Sequence, residues 1–252
     1  MKWLLLILLL IPLTTNALTQ SPSLNGSSQG FSAADSVSLS PTGNLTAEGW
    51  MKITALPTSG NTMSVIGKWV DSGSQDSWLV QLHNPSGTQQ IRFLNSNDGS
   101  SVGLCTFNYT AATAEWHYWE MNYTAATPLF EVFVDGVSVG SCTGTLKTSI
   151  FNGTGLTTLG EDNSSGWLNA ALSNWRIWTS VRANADYPTN ACNALGVTTD
   201  LSAEWSLDNV LTDNSGNSNT LTNIGSTAFS ADVPALCSTG GSTFQLWPLS
   251  LF

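Results

Sequence analysis

Along most of this chain apolar side chains recur at every second position, and clusters of Gly, Ser, Asn and Asp interrupt the runs. Trp78, Val80 and Leu82 alternate with Leu79 and Gln81, and Phe130, Val132 and Val134 alternate with Glu131 and Phe133. Period two places one residue set on one face of a strand, and no stretch longer than a turn or two holds helical periodicity. The expectation is an all-β antiparallel sandwich. Strands are predicted at Leu45 to Ile53, Met63 to Trp69, around Trp78, Gln90 to Leu94, Glu115 to Tyr123, around Phe130, Val137 to Cys142, Gly155 to Leu159 and Leu172 to Trp178. Between two β-rich runs, Asp135-Gly136 supplies residues that tolerate positive φ, as a tight hairpin requires. Asp71-Ser72-Gly73, Asn97-Asp98-Gly99 and Asn214-Ser215-Gly216 mark further turns, and one helical turn is expected near Ala183 to Tyr187.

Charge excludes one class of partner. Only 10% of residues are charged and the net charge is −10, with no cluster of Lys or Arg, so a phosphate backbone would be repelled and nucleic-acid binding is not expected. Eleven Trp argue against disorder, because each can bury roughly 150–250 Å² in a core.

The N-terminus has the layout of a secretory signal: Lys2, an apolar run from Trp3 to Leu13, and the small-residue site Thr15-Asn16-Ala17. Cleavage is predicted after Ala17. The apolar run is shorter than the roughly 20 residues a spanning helix needs, so the mature chain is expected to be secreted or displayed at a surface, with no membrane span; the alternative is an uncleaved signal anchor. In that compartment the four cysteines, which show no Cys-x-x-Cys spacing, read as disulfides. Three pairings are open. Cys105 with Cys142 and Cys192 with Cys237 is favoured, because each bridge then staples a local block. Residues 238–252 read as a Gly/Ser linker and an apolar tail.

Several phrases occur in a telling order. Phe31 precedes a Ser36-Val37-Ser38-Leu39 strand; Leu45-Thr46-Ala47-Glu48-Gly49-Trp50-Met51-Lys52, Ile66-Gly67-Lys68, Trp116-His117, Phe133-Val134-Asp135-Gly136 and Leu159-Gly160 follow. This order resembles the laminin G-like, or concanavalin A-like, jelly roll, and the resemblance covers roughly Leu24 to Pro234. It implies a two-sheet antiparallel jelly-roll sandwich used mostly for binding sugars and surface proteins. The phrase Glu204-Trp205-Ser206-Leu207-Asp208, with Asp213-Asn214-Ser215-Gly216-Asn217, resembles the strand and turn that flank such modules. Segment 201–236 is accordingly read as the closing part of one domain, 18–237. Where relatives carry an Asp-Glu pair after a Phe-x-Gly-x-Ile/Leu run, this chain has Trp167-Leu168-Asn169-Ala170-Ala171-Leu172 and then Ser173-Asn174. Calcium is therefore implied by the resemblance and not by these residues.

No complete catalytic set accompanies the fold. The Glu-x-Asp-x-x-Glu strand of sandwich glucanases is absent, and Glu131 and Asp135 on one strand stand roughly 13 Å apart, beyond the ~5–9.5 Å that glycosidases use. His83 reads as a loop residue and His117 as a structural imidazole. A non-catalytic reading is preferred over a divergent glycosidase built from carboxylates on different strands. Sugar recognition needs a flat apolar ring with planar donors and acceptors, and the candidates are Trp69, Trp78, Asn95, Asn97 and Asp98. Oxygen ligands for calcium would come from Asp71, Asp76, Asp98, Asp162 and Asn163. The expected function is a module for carbohydrate or glycoprotein ligands; the alternative is an adhesive or structural domain of a surface layer, appendage or virion making protein contacts only.

Overall fold

The computed structural model describes residues 17–70, 72–163 and 165–238. The expected signal segment up to Asn16 and the tail beyond Ser238 lie outside the described residues. In chain order the strands are β1 Ser21–Pro22, β2 Gly30–Ala33, β3 Leu45–Ile53, β4 Asn61–Lys68, β5 Trp78–Asn84, β6 Gln90–Ser96, β7 Val102–Asn108 and β8 His117–Thr124. They continue as β9 Leu129–Val134, β10 Val137–Cys142, β11 Thr157–Leu159, β12 Ala170–Trp178, β13 Leu201–Trp205, β14 Thr222–Ile224 and β15 Phe229–Ser230, before helix α1 Ala235–Ser238.

Two antiparallel sheets face each other. One has seven strands in the order β14-β2-β11-β4-β5-β6-β7, and the other six in the order β10-β9-β8-β3-β12-β13, while β1 and β15 form a separate pair. The alternation seen in the sequence fills the space between them: Phe31, Ile66, Trp78, Val80 and Phe93 meet Met51, Trp119, Tyr123, Phe130, Trp175 and Trp205 in one core. Burying rings of this size is the main driving term for the sandwich. Gly49 is required where Trp175 lies flat on β3, since a Cβ there would come within 2.6 Å of the indole. A bulge in β12 between Ser173 and Arg176, with Asn174 at φ 48°, resets the alternation. Trp175 and Ile177 consequently enter the core, and Arg176 turns to the outer face.

At the β9–β10 turn Asp135 and Gly136 take φ values of 49° and 79°, as the hairpin chemistry predicts. Cys105–Cys142 ties β7 to β10, the edge strands of the two sheets, and Cys192–Cys237 forms the second bridge. The closing segment enters the sandwich: β13 pairs with β12, β14 with β2 and β15 with β1. Its Asp213 turn is a plug, accepting hydrogen bonds from the amides of Glu204, Ser215 and Asn219.

Two local expectations are corrected. Ser36–Leu39 is a turn and not a strand: the Ser36 hydroxyl accepts the Leu39 amide and Ser40 Oγ donates to the Ser36 carbonyl, so serine side chains displace ladder bonds and leave Val37 exposed. The Ala183–Tyr187 stretch forms no helical turn, because Ala183 and Asn184 are both left-handed, at φ 51° and 62°. Among the described residues no helix is long and apolar enough to cross a membrane.

Candidate functional site

The aromatic residues expected to meet a ligand are spent on packing. Trp69 is 6% exposed, Trp78 0% and Asn95 0%, and the Asn95 amide bonds to Tyr123 Oη and to the carbonyls of Lys147 and Ser149. Strand alternation points Trp78 and Asn95 inward, because they share the core-facing row of β5 and β6. Asn97 and Asp98 remain exposed, and the aromatic ring next to their loop is that of the half-buried Phe151, packed against Gly99.

Behind the six-stranded sheet lies a buried charge row. The register sets Glu120, Glu48, Arg176 and Glu204 side by side across β8, β3, β12 and β13, and all four are at most 1% exposed. Segment 182–196 closes over them: Asn184 N donates to Glu120, Leu195 N and Gly196 N donate to Glu204, and Arg176 donates to the carbonyls of Asn190 and Asn193. Arg176 Nε also holds Glu204 at 2.9 Å and Nη1 stands 3.7 Å from Glu48. Directly opposed carboxylates such as Glu48 and Glu120 have Cβ atoms about 5 Å apart, close enough in principle for a glycosidase pair. Here both are buried beneath segment 182–196.

Burial pushes the Glu48 carboxyl up to about 8, with Arg176 offsetting only part of the cost. The folded chain therefore keeps a proton on Glu48 across a range where the unfolded chain has released it. Stability contributed by this group is full below pH ~4.5 and is lost as pH rises toward 8. Glu120 is shifted upward by burial in the same sense, whereas Asp186 is shifted downward, mainly by its hydrogen bonds, and acts only at lower pH. Glu48→Gln should flatten the decline in melting temperature between pH 5 and pH 8.5; an unchanged slope would refute this assignment.

The seven-stranded sheet presents the other outer face, covered by Asp162 over Ser64 and Gln81 and partly exposed across β6 and β7. Its register aligns Ser64, Gln81, Arg92 and Thr106 in one row and Thr62, His83, Gln90 and Asn108 in the next. Arg92 Nε donates to Gln81 Oε1 at 2.6 Å, Gln81 Nε2 donates to Asp162 Oδ2 at 2.9 Å, and Ser64 Oγ donates to the same oxygen at 2.7 Å. Gln81, Ser64 and Asp162 are buried, so a fixed layer orients the half-buried guanidinium. Among the described residues neither Nη of Arg92 has a hydrogen-bond partner. Burial and the Arg92 charge hold His83 below the usual imidazole value, which leaves it neutral beside the cation at neutral pH. Gly166, whose carbonyl accepts the Ser64 amide, leads directly into Trp167. Trp116 and Trp167 are the described tryptophans that are not buried, and Trp116 packs on a second apolar cluster and bonds Asp232. Residue type alone did not single out Arg92, Gln81 and Trp167, although the alternation of Ile91, Arg92 and Phe93 already points Arg92 away from the core.

Calcium fits poorly with what the residues do. Asp98 Oδ1 accepts the Ser100 and Ser101 amides, which hold its carboxyl well below the usual range. Asp162 is engaged by Ser64, Gln81 and Ser165, and the Asp76 amide is tied to Gly99, so Asp76 and Asp98 sit in one loop region while Asp162 and the exposed Asn163 sit over β4 and β5. Asp71 lies outside the described residues. Among the described residues no three His, Cys, Asp or Glu side chains converge on a metal position.

The family model Laminin_G_3, described as the concanavalin A-like lectin/glucanases superfamily, matches residues 25–186. The chain belongs to this superfamily. As a concanavalin A-like protein it is similar to a solved structure from Bacteroides ovatus described as carbohydrate binding, with 13% identity over 85% of this chain, 60% of that chain and a TM-score of 0.60. This chain thus spans less than two thirds of the Bacteroides ovatus protein. It is also similar to a heptameric SAP-like pentraxin of Limulus polyphemus, with 12% identity over 88% of this chain, 98% of that one and a TM-score of 0.59. At these identities the likeness shows the concanavalin A-like fold alone. No curated protein matches the chain.

Proposed function

We propose that the chain is an extracellular, non-catalytic module that binds a glycan across the outer face of its seven-stranded sheet. The observation that carries this reading is the buttressed Arg92: a fixed guanidinium whose Nη groups have no hydrogen-bond partner among the described residues can donate to the oxygens of neighbouring sugar hydroxyls. His83, Gln90, Thr106 and Asn108 extend the same face with neutral donors and acceptors. The two disulfides and the export-type N-terminus support an extracellular setting, and the description of the Bacteroides ovatus protein supports carbohydrate as the ligand class.

A glycan array probed with and without calcium tests the idea. A positive glycan should lose about 10-fold or more in affinity on Arg92→Ala, the worth of one charge-assisted hydrogen bond, with Trp167→Ala weakening it as well. An array blank under both conditions, with a protein partner recovered instead, would sink glycan binding. That outcome would favour a protein-contact role, for which Val102 and Leu104, 42% and 40% exposed on edge strand β7, supply an apolar strip.

A further inference from the structure

Beside the β12 bulge, where β13 ends, a cavity of about 460 Å³ is lined by Ala17, Leu18, Asn174, Cys192, Ser206 and Asp208, among others. The chain is fixed from Leu18 onward. Leu18 is 5% exposed, packs with Trp50, Tyr118 and Cys237, and donates its amide to the Cys237 carbonyl at 2.9 Å. Asp208 gathers the next two residues on a single oxygen: Oδ1 accepts Thr19 N at 3.0 Å, Thr19 Oγ1 at 2.9 Å and Gln20 N at 2.6 Å. Its Oδ2 takes no hydrogen bond among the described residues, and no Lys, Arg or His described there pairs with it. A half-buried carboxylate with one idle oxygen thus stands one residue from the Leu18 nitrogen, its bonded oxygen within roughly 7 Å given the hydrogen bond to Thr19 N and the ~3.8 Å spacing of successive residues.

We propose that hydrolysis of the Ala17–Leu18 peptide bond creates the α-ammonium group of Leu18 at the wall of this cavity, where it pairs with Asp208 and keeps the Cys237 carbonyl as acceptor. Water adds across the amide, Ala17 leaves as a carboxylate, and the freed amine of Leu18 takes up a proton. The inference rests on the reading of an exported chain, because a signal peptidase supplies the cut. It also orders events: with Leu18 buried and its amide engaged, the bond is out of reach once the domain has folded, so cleavage precedes folding. The new ion pair then fastens the first residue to the closing segment and to the Cys192–Cys237 bridge.

The test uses chain 18–252, refolded with both disulfides, against the same chain N-acetylated at Leu18. Acetylation removes the charge and keeps one N–H that can donate to Cys237. At pH 6.5 the free-amine form should melt about 2–4 °C higher, the shift expected for roughly 1 kcal/mol in a domain of this size. A partnered ammonium has its pKa raised above the ordinary ~8 of an α-amino group, so the advantage is full below that value and disappears as pH rises through the folded value. It should also vanish in Asp208→Asn. Equal melting of the two forms at pH 6.5, or a difference that survives Asp208→Asn, would overturn the ion pair. N-terminal sequencing of the exported protein tests the cut separately: a first residue other than Leu18 overturns the processing site, and the melting comparison still reports on the cavity.

Discussion

Arg176→Ala should destabilise the protein by about 3–5 kcal/mol, the range observed when one partner of a buried ion pair is deleted. The side chain is 0% exposed and is the cation of a row holding Glu48, Glu120 and Glu204, with Tyr118 Oη 3.4 Å from Nη1. Its removal strips the row of its cation, leaves Glu204 with only the Leu195 and Gly196 amides, and takes the arginine donor from the Asn190 and Asn193 carbonyls. Chemical denaturation would measure the loss. Arg176→Met combined with Glu48→Gln and Glu204→Gln should recover a large part of it, since the penalty comes from stranded charge and not from lost volume. A stability change below about 1 kcal/mol for Arg176→Ala would mean that the row is solvated in solution and the cap over it open.

Removing the Cys192–Cys237 bridge by paired Ser substitutions should cost about 4 kcal/mol in the chain-entropy model, given a sequence separation of 45. The Cys105–Cys142 bridge, at a separation of 37, predicts nearly the same global loss. What distinguishes the two is locality. Cys192 lies inside the segment that seals the charge row, so its loss should accelerate amide exchange at Asn184, Leu195 and Gly196, whose N–H groups are held by Glu120 and Glu204. Loss of Cys105–Cys142 should instead loosen β7 and β10. Identical exchange patterns in the two variants would show that the cap does not depend on its own disulfide.

Much of this architecture was legible in the residues. Leu45–Ile53 and Val137–Cys142 coincide with the observed strands, and in β9 the alternation of Phe130, Val132 and Val134 with Glu131 and Phe133 is a direct image of burial on one face. Edge and closing strands were harder to see. β7 carries Val102 and Leu104 outward, and β14 has only three residues, so neither shows a clean dry face. The expected Ser36–Leu39 strand failed because apolar content there belongs to a serine-bonded turn, an effect of side-chain hydrogen bonding that periodicity does not register.

For the site the division falls elsewhere. Trp69 and Trp78 were natural candidates by residue type, yet an aromatic ring serves a core as readily as a ligand, and the register alone sends Trp78 inward. Glu48, Glu120, Arg176 and Glu204 are far apart in the chain and become neighbours only through pairing of four strands. By itself, then, the sequence determined an antiparallel sandwich and its hairpin at Asp135-Gly136, because those depend on local periodicity and turn stereochemistry; among three open cysteine pairings it favoured the one that the tertiary structure holds. Which polar groups are sealed behind the six-stranded sheet, and which stand ready beside Arg92, was decided by the tertiary structure. Desolvation and hydrogen-bond partnership are properties of a side chain's surroundings, and those surroundings come from residues distant in the chain.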